Sequence, residues 1–456
     1  MNNRLRRSVV VAALLVAACA SNAYRQTPDP GKKEIAFGDF IADARTARFE
    51  DYASRPGARV EGPAAFEEMR KHLLFLYQGV TPRNTFIGKD EQFVDCIPIG
   101  QQPGLRNPKT GPLRLEREAP KVSAPERISA EGGGAGAPKE HGIADLTLKP
   151  GVRDRFGREM YCRADTIPMR RVTLEEMTRF RTLGDFFSKG AGRFVARPLH
   201  GQDRPGLLVP GAENHYYAAA FQNVDNFGGD SWLNLWSPSV NTHEMSLSQI
   251  WVSGGSGGGS QTVEAGWQVM PDKWNSTNAA LFVFYTPDNY ASGCYNLDCS
   301  GFVQTANNVY LGAGFDHYSA RDAGQWGFNI QVKRHTDGNW WLFYRGPGDY
   351  IPFGYYPRAL YGSGVMATKA DSIGWGGEDT GEPHALQMGS GAGPADGFGR
   401  AAFHDVVFYI DTNTVSQWSN LFAVEQPGGA CYTTAITSAG PNQPKTFFYF
   451  GGASCN

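Results

Sequence analysis

From about Leu207 onward the chain alternates with a period of two and never sustains a helical period. That pattern restricts the second half to β structure more firmly than any other feature. Trp326, Phe328, Ile330 and Val332 fall on one side of a strand, and Gln325, Gly327, Asn329, Gln331 and Lys333 on the other. Asp337-Gly338-Asn339 then turns the chain into Trp340-Trp341-Leu342-Phe343-Tyr344, which makes a hairpin. Ala279–Thr286 and Ala402–Asp411 read as further strands, with Gly, Pro, Asn and Asp between them. The 56 glycines, 28 prolines and 12 % aromatic residues exclude a coiled coil and a disordered chain. Residues 207–456 are therefore expected to form an all-β unit, an antiparallel two-sheet β-sandwich of jelly-roll type.

The first half is a different object. Residues 1–210 carry 34 Lys and Arg against 25 Asp and Glu, whereas residues 211–456 carry 9 against 20, and all ten Trp lie in the second part. Residues 35–200 read as a small mixed α/β segment. Phe66, Met69, Leu73, Leu76 and Tyr77 paint one helix face, and Thr173 with Glu176 forms a capping box ahead of Met177, Phe180, Phe186 and Phe187. Residues 101–142 are rich in Pro and Gly and read as a flexible, protease-sensitive linker. The opposite charges of the two halves predict docking by long-range attraction, loosened by salt and by acid. The basic residues are scattered without interleaved aromatics, so no nucleic-acid partner is expected.

Residues 1–18 read as an export signal. Arg4, Arg6 and Arg7 precede the apolar run Val9–Ala18, which is too short to span a bilayer as a mature helix. Val16-Ala17-Ala18-Cys19 resembles a bacterial lipobox, in which Cys19 is lipidated and residues 19–34 become a tether. Ser21-Asn22-Ala23 offers an ordinary cleavage site instead. The expected location is the bacterial cell envelope, lipid-anchored, or the medium outside it. Either compartment is oxidising, and six cysteines remain. Cys294 and Cys299 suit a short hairpin-type disulfide, Cys431–Cys455 would staple the C-terminal strands, and Cys96–Cys162 would pair in the basic half, one of ~15 possible connectivities. Without Cys-x-x-Cys or clustered His, no metal or cofactor is expected.

Chemistry has two starting points. In Val263–Val269, Glu264, Gly266 and Gln268 share one strand face, and Val263, Ala265, Trp267 and Val269 share the core face. In Ile373–Glu378, Gly374, Gly376 and Glu378 point one way, and Ile373 and Trp375 the other. Two strands each offering a glutamate beside glycine gaps can make a cleft with paired carboxylates, one ionised and one protonated. The alternative is two unrelated glutamates at strand edges. Gly254–Gly258 fits Gly-x-Ser-x-Gly literally, but it is a Gly/Ser tract rather than a strand-to-helix turn. His215, His243, His384 and His404 share no metal-like spacing and read as surface or structural residues.

Several ordered motifs sharpen this choice: Leu247-Ser-Gln-Ile-Trp251, Val263–Val269, Gly293–Thr305, Gly338–Leu342, Gly354-Tyr-Tyr-Pro357, Trp375-Gly-Gly-Glu378 and Met388-Gly-Ser-Gly391. Across about residues 207–456 the chain resembles the neprosin family of glutamic peptidases. The basic half resembles the family's activation peptide through Phe93–Cys96, Gln102-Pro103, Cys162 and Thr166–Arg171. The resemblance implies a β-sandwich catalytic domain, an inhibitory prosegment made with it as a zymogen, and hydrolysis of peptide or protein substrates in acid, possibly after proline. It assigns the catalytic pair to Glu264 and Glu378. Gln268, Gly266, Gly376 and Tyr295 are expected along the substrate surface, with support of the cleft as the other reading for Tyr295; Gln304 belongs to the same disulfide-bounded motif. A lectin-like carbohydrate-binding sandwich and a two-carboxylate glycosidase are the competing readings.

Overall fold

A computed structural model describes residues 35–108, 110–125, 141–189, 215–381, 387–426, 431–439 and 445–453. The export signal, Cys19, residues 126–140, His384 and Cys455 lie outside the described residues.

In the N-terminal region, α1 (Phe37–Thr46) and α2 (Pro63–Leu76) precede a three-stranded antiparallel sheet of β1 (Asn84–Ile87), β2 (Phe93–Pro98) and β4 (Thr166–Arg170). A short strand, β3 (Gly142–Ile143), and two single-turn helices, α3 (Leu174–Met177) and α4 (Leu183–Phe187), also belong to it. The predicted face of α2 is buried, with Met69, Leu73 and Leu76 fully inaccessible. Thr173 and Glu176 close their capping box. Cys96 and Cys162 are joined, so β2 is stapled to the loop before β4.

The second half holds β5 (His215–Asn234), β6 (Met245–Gly254), β7 (Gln261–Val269), β8 (Ala280–Thr286), β9 (Cys294–Tyr295), β10 (Val303–Gln304), β11 (Trp326–Arg334), β12 (Trp340–Arg345), β13 (Ile351–Tyr356), β14 (Ala370–Thr380), β15 (Ala402–Asp411), β16 (Phe422–Gln426), β17 (Thr433–Thr437) and β18 (Phe447–Gly451). The pairing is antiparallel, and β5 belongs to two layers. Its first part pairs with β14 and β16, and its second part with β11 and β15. The front layer therefore runs β9-β8-β7-β6-β14-β5-β16. The back layer runs β10-β13-β12-β11-β5-β15-β18-β17. Gly228, at φ +112°, lies where β5 passes between layers; a side chain there would strike the backbone of Val332.

The core lies between the layers. Val263, Ala265, Trp267 and Val269 from the front meet Phe328, Ile330 and Val332 from the back, all fully buried. His404 bridges the layers, joined to Ser231 at 2.9 Å and to Ser248 at 2.8 Å. Burial drives its pKa down to about 3, so it is a neutral structural histidine. Cys294–Cys299 is formed; Cys431 is disulfide-bonded, while its expected partner Cys455 is outside the described residues.

Two expectations fail here. Residues 101–125 are no flexible linker. The Gln102 amide donates to the Gln304 carbonyl at 3.0 Å and accepts from the Gln304 backbone N–H at 2.7 Å, and Asn107 donates to the Ser300 carbonyl at 2.6 Å. Pro-rich text without a period is still ordered when its side chains bond to the backbone of the sandwich. The halves are also not held by surface charge. Gly142 and Ala144 donate to the Gln325 and Gly327 carbonyls, Gly314 donates to buried Asp90, and Gln92 donates to the Trp274 carbonyl. Such buried, neutral-donor bonds are little screened. At neutral pH, about 1 M salt, with its ~3 Å screening length, is expected to leave the two halves together on size-exclusion chromatography after cleavage between them; dissociation would restore the surface-charge account.

Candidate active site

The outer face of the front layer brings the two glutamates together. Register places Glu264 opposite Trp251, Gly266 opposite Gln249, and Glu378 opposite both Leu247 and Tyr217. Glu264 and Glu378 thus share one face of the front layer, with β6 between their strands. They meet at one cation: the Lys189 ammonium lies 2.5 Å from a carboxylate oxygen of each. All three side chains are at most 3 % exposed. This face was expected to be open; the outward residues of β7 are instead buried as well, and Lys189 of the N-terminal region covers Glu264.

Lys189 is delivered by α4. Thr182 caps that helix by accepting from the Asp185 N–H, and Lys273 holds its end by donating to the Phe186 carbonyl at 2.9 Å. Lys273 is itself paired with Asp298 at 2.7 Å, and burial brings its pKa down to about 8. Phe187 packs edge-on against His72. Beside Lys189 a cleft opens between Phe187 and Ser188 of this region and Phe284, Tyr290 and Gly293 of the sandwich.

Each glutamate has its own ring of partners. Glu264 accepts from Gln249 at 2.7 Å, Thr262 at 2.8 Å and Tyr290 at 2.7 Å. Glu378 meets the His215 Nδ1 at 2.7 Å and accepts from Tyr217 at 3.3 Å. Burial opposes ionisation of Glu378, but the Lys189 charge and the His215 bond outweigh it and hold its pKa down to about 2. Burial works against the Lys189 charge, and the two carboxylates more than reverse it, raising its pKa. Burial and the nearby carboxylates push the hydroxyls of Tyr217 and Tyr290 well up, so both stay protonated donors.

The other sequence-assigned residues sit nearby in different capacities. Gln268 shares the face of Glu264, but its amide is spent: it donates to Tyr295 at 3.0 Å and accepts from Trp274 at 3.1 Å. Tyr295 is fully buried under this contact. A side chain at Gly266 would lie 2.0 Å from the Ser248 carbonyl oxygen, so this glycine permits close strand approach. Gly376 has φ +141° and packs against the Ala219 backbone. Gln304 bonds the backbone carbonyls of Val309 and Ala306 at 2.6 and 3.1 Å. Sequence reasoning gave no role to Lys189, Thr262 or Tyr290, quoted Gln249 only within a motif, and left His215 among ordinary histidines. Among the described residues no group of three or more His, Cys, Asp or Glu could hold a metal ion, and no helix is long and apolar enough to cross a membrane.

Comparison with solved structures returns Scytalido-glutamic peptidase with a transition state analog inhibitor, at 9 % identity and TM-score 0.30, over 54 % of this chain and 100 % of that one. SCP-B, a member of the Eqolisin family of peptidases in complex with the tripeptide Ala-Ile-His, matches at 8 % identity and TM-score 0.27, over 53 % and 98 %. TM-scores of this size do not establish a shared fold. The family model described as Neprosin matches residues 242–453, a span that contains β6, β7 and β14 and therefore both glutamates. Residues 242–453 are a Neprosin-family domain.

Proposed function

We propose that this chain is an exported glutamic endopeptidase, made as a zymogen, which hydrolyses peptide bonds in acid. One observation carries this reading: Glu264 and Glu378, 114 residues apart in sequence by their numbers, converge on a single ammonium contributed by another part of the chain. With Lys189 withdrawn, two carboxylates within the span of two hydrogen bonds hold one proton between them. Glu378 is the general base, because His215 favours its ionised form. It takes a proton from water as the water oxygen attacks the scissile carbonyl carbon. Glu264 keeps its proton and donates a hydrogen bond to the developing oxyanion, with Gln249 and Tyr290 as neighbouring donors. The proton on Glu378 then passes to the departing amine. Cleavage after proline, export through residues 1–18 and anchoring at Cys19 belong to the same proposal and rest on the sequence alone.

The N-terminal region is the inhibitor in this reading, since Lys189 fills the place of the reacting carbonyl and water. The bridge depends on pH with a defined sign. Glu378 is held at about 2 against an ordinary value of 4.5. The bridge therefore contributes its full stability above 4.5 and loses it as pH falls from about 4.5 towards 2. Acid loosens the inhibitor. N-terminal sequencing after acid exposure is expected to find the N-terminal region cut away, whereas an intact chain at low pH would contradict the zymogen mechanism.

His215 supplies a further test. In His215→Phe the donor that favours the Glu378 carboxylate is lost, so the acid limb of the pH–rate profile is expected to move to higher pH while the fold is retained. An unmoved limb would remove Glu378 from the role of base.

A further inference from the structure

The outer face of the back layer also grips a piece of chain. Residues 113–125 cross it without regular secondary structure. Their backbone is bonded by side chains of the sandwich. The Gln331 amide accepts from the Ser123 N–H and donates to the Ser123 carbonyl, both at 2.8 Å. Lys333 donates to the Lys121 carbonyl at 2.8 Å and to the Ser123 hydroxyl at 2.7 Å. The Tyr355 hydroxyl accepts from the Glu116 N–H at 2.9 Å. Leu113, Leu115 and Ala119 pack on a buried apolar floor that includes Trp341, Phe343 and Tyr355.

The grip is built before the strap arrives. Gln331 also donates to Asp230 at 3.0 Å, and Asp230 accepts from Asn329 at 3.0 Å and Tyr350 at 2.8 Å. All four residues belong to the sandwich. The carboxamide therefore stays aimed outward when the strap is absent. Recognition falls on the backbone, on the Ser123 hydroxyl and on the aliphatic side chains of Leu113, Leu115 and Ala119; Val122 points away and is 45 % exposed. Such a surface takes an extended polypeptide with little regard for its sequence.

We propose that this face is an exosite for extended, unfolded polypeptide, occupied by residues 113–125 in the full chain and by protein substrate after the N-terminal region leaves. It lies on the layer opposite the Glu264–Glu378 cleft, so one long substrate engages both layers and a short peptide only the cleft. The substrate role rests on the peptidase reading above; the binding of polypeptide does not.

The test uses the full chain after an added protease has cut between the two halves and acid has released the N-terminal one. Hydrolysis of a denatured protein and of a short peptide is measured for wild type, Gln331→Ala and Tyr355→Phe. Two bonds lost at Gln331 are expected to raise KM for the protein about thirtyfold, at ~1 kcal/mol of net worth each. The short peptide keeps its KM and kcat, which also reports that the variants are folded. A synthetic peptide of residues 113–125 is expected to inhibit cleavage of the protein and not of the short peptide. Its fluorescein-labelled form is expected to bind activated wild type, and Gln331→Ala more weakly, by fluorescence anisotropy. The binding arm stands whether or not peptidase activity is found. Absence of labelled-peptide binding, equal effects of Gln331→Ala on both substrates, or a native 113–125 fragment that stays bound after activation and does not exchange would each overturn the exosite.

Discussion

Full-length chain carrying Lys189→Met is expected to cleave peptides at a mildly acidic pH where the full-length wild type is silent. Methionine keeps most of the aliphatic stem and removes the ammonium. The two carboxylates at 2.5 Å from that ammonium then face each other, buried and without the ammonium between them. Removing one member of a buried ion pair costs about 3–5 kcal/mol. That weakens the seating of α4 by roughly 10²–10⁴-fold, at 1.4 kcal/mol per factor of ten. The cost is greatest at neutral pH and fades in acid, where one carboxyl takes up a proton and no longer needs the cation. Activity of the uncut variant, followed by gel to show that no chain is shed, is the measurement. A variant as silent as wild type would mean that the N-terminal region blocks the cleft by bulk and that Lys189 adds nothing.

The second large effect is at the glutamates. In protein freed of its N-terminal region by an added protease, Glu264→Gln and Glu378→Gln are each expected to lose at least the ~10²–10⁴-fold attributed to one general acid or base. The double variant is expected to be little worse than either single one. A water held by one group and a proton supplied by the other act as a unit, and groups that act as a unit give non-additive losses. Glutamine preserves shape and most hydrogen bonds, so the sandwich, whose core lies on the opposite side of β7 and β14, is retained. Losses that add fully would indicate two independent contributions.

The layers were legible because their cause is local. Alternation in Trp326–Val332 reports a strand with one buried side, and β11 and β12 pair as that reading requires. The same parity placed Glu264 and Glu378 on a common face. Gln249 was within reach of the same reasoning: it stands between Leu247 and Trp251 on the outward parity of β6, opposite Gly266. His215 and Tyr217 follow the same rule on β5. Lys189 was not legible. It follows Phe186-Phe187-Ser188 at the end of a five-residue helix, and only the docking of that helix across the front layer gives it meaning. Tyr290 sits in a loop with φ +61°, where no period exists to read. The expectation of an open carboxylate face failed for the same reason. Periodicity says which side of a strand faces outward; it does not say that another part of the chain will cover that side. Residues 101–125 show the converse, since a composition suited to a linker becomes ordered through Gln102, Asn107 and Ser123.

The most direct measurement is the initial rate of hydrolysis of one denatured protein in acid by the freed wild type, Glu264→Gln and Glu378→Gln at equal concentration, each shown folded by circular dichroism. Both variants are predicted at background while the wild type turns over. Near wild-type turnover by either variant would contradict the shared-proton dyad.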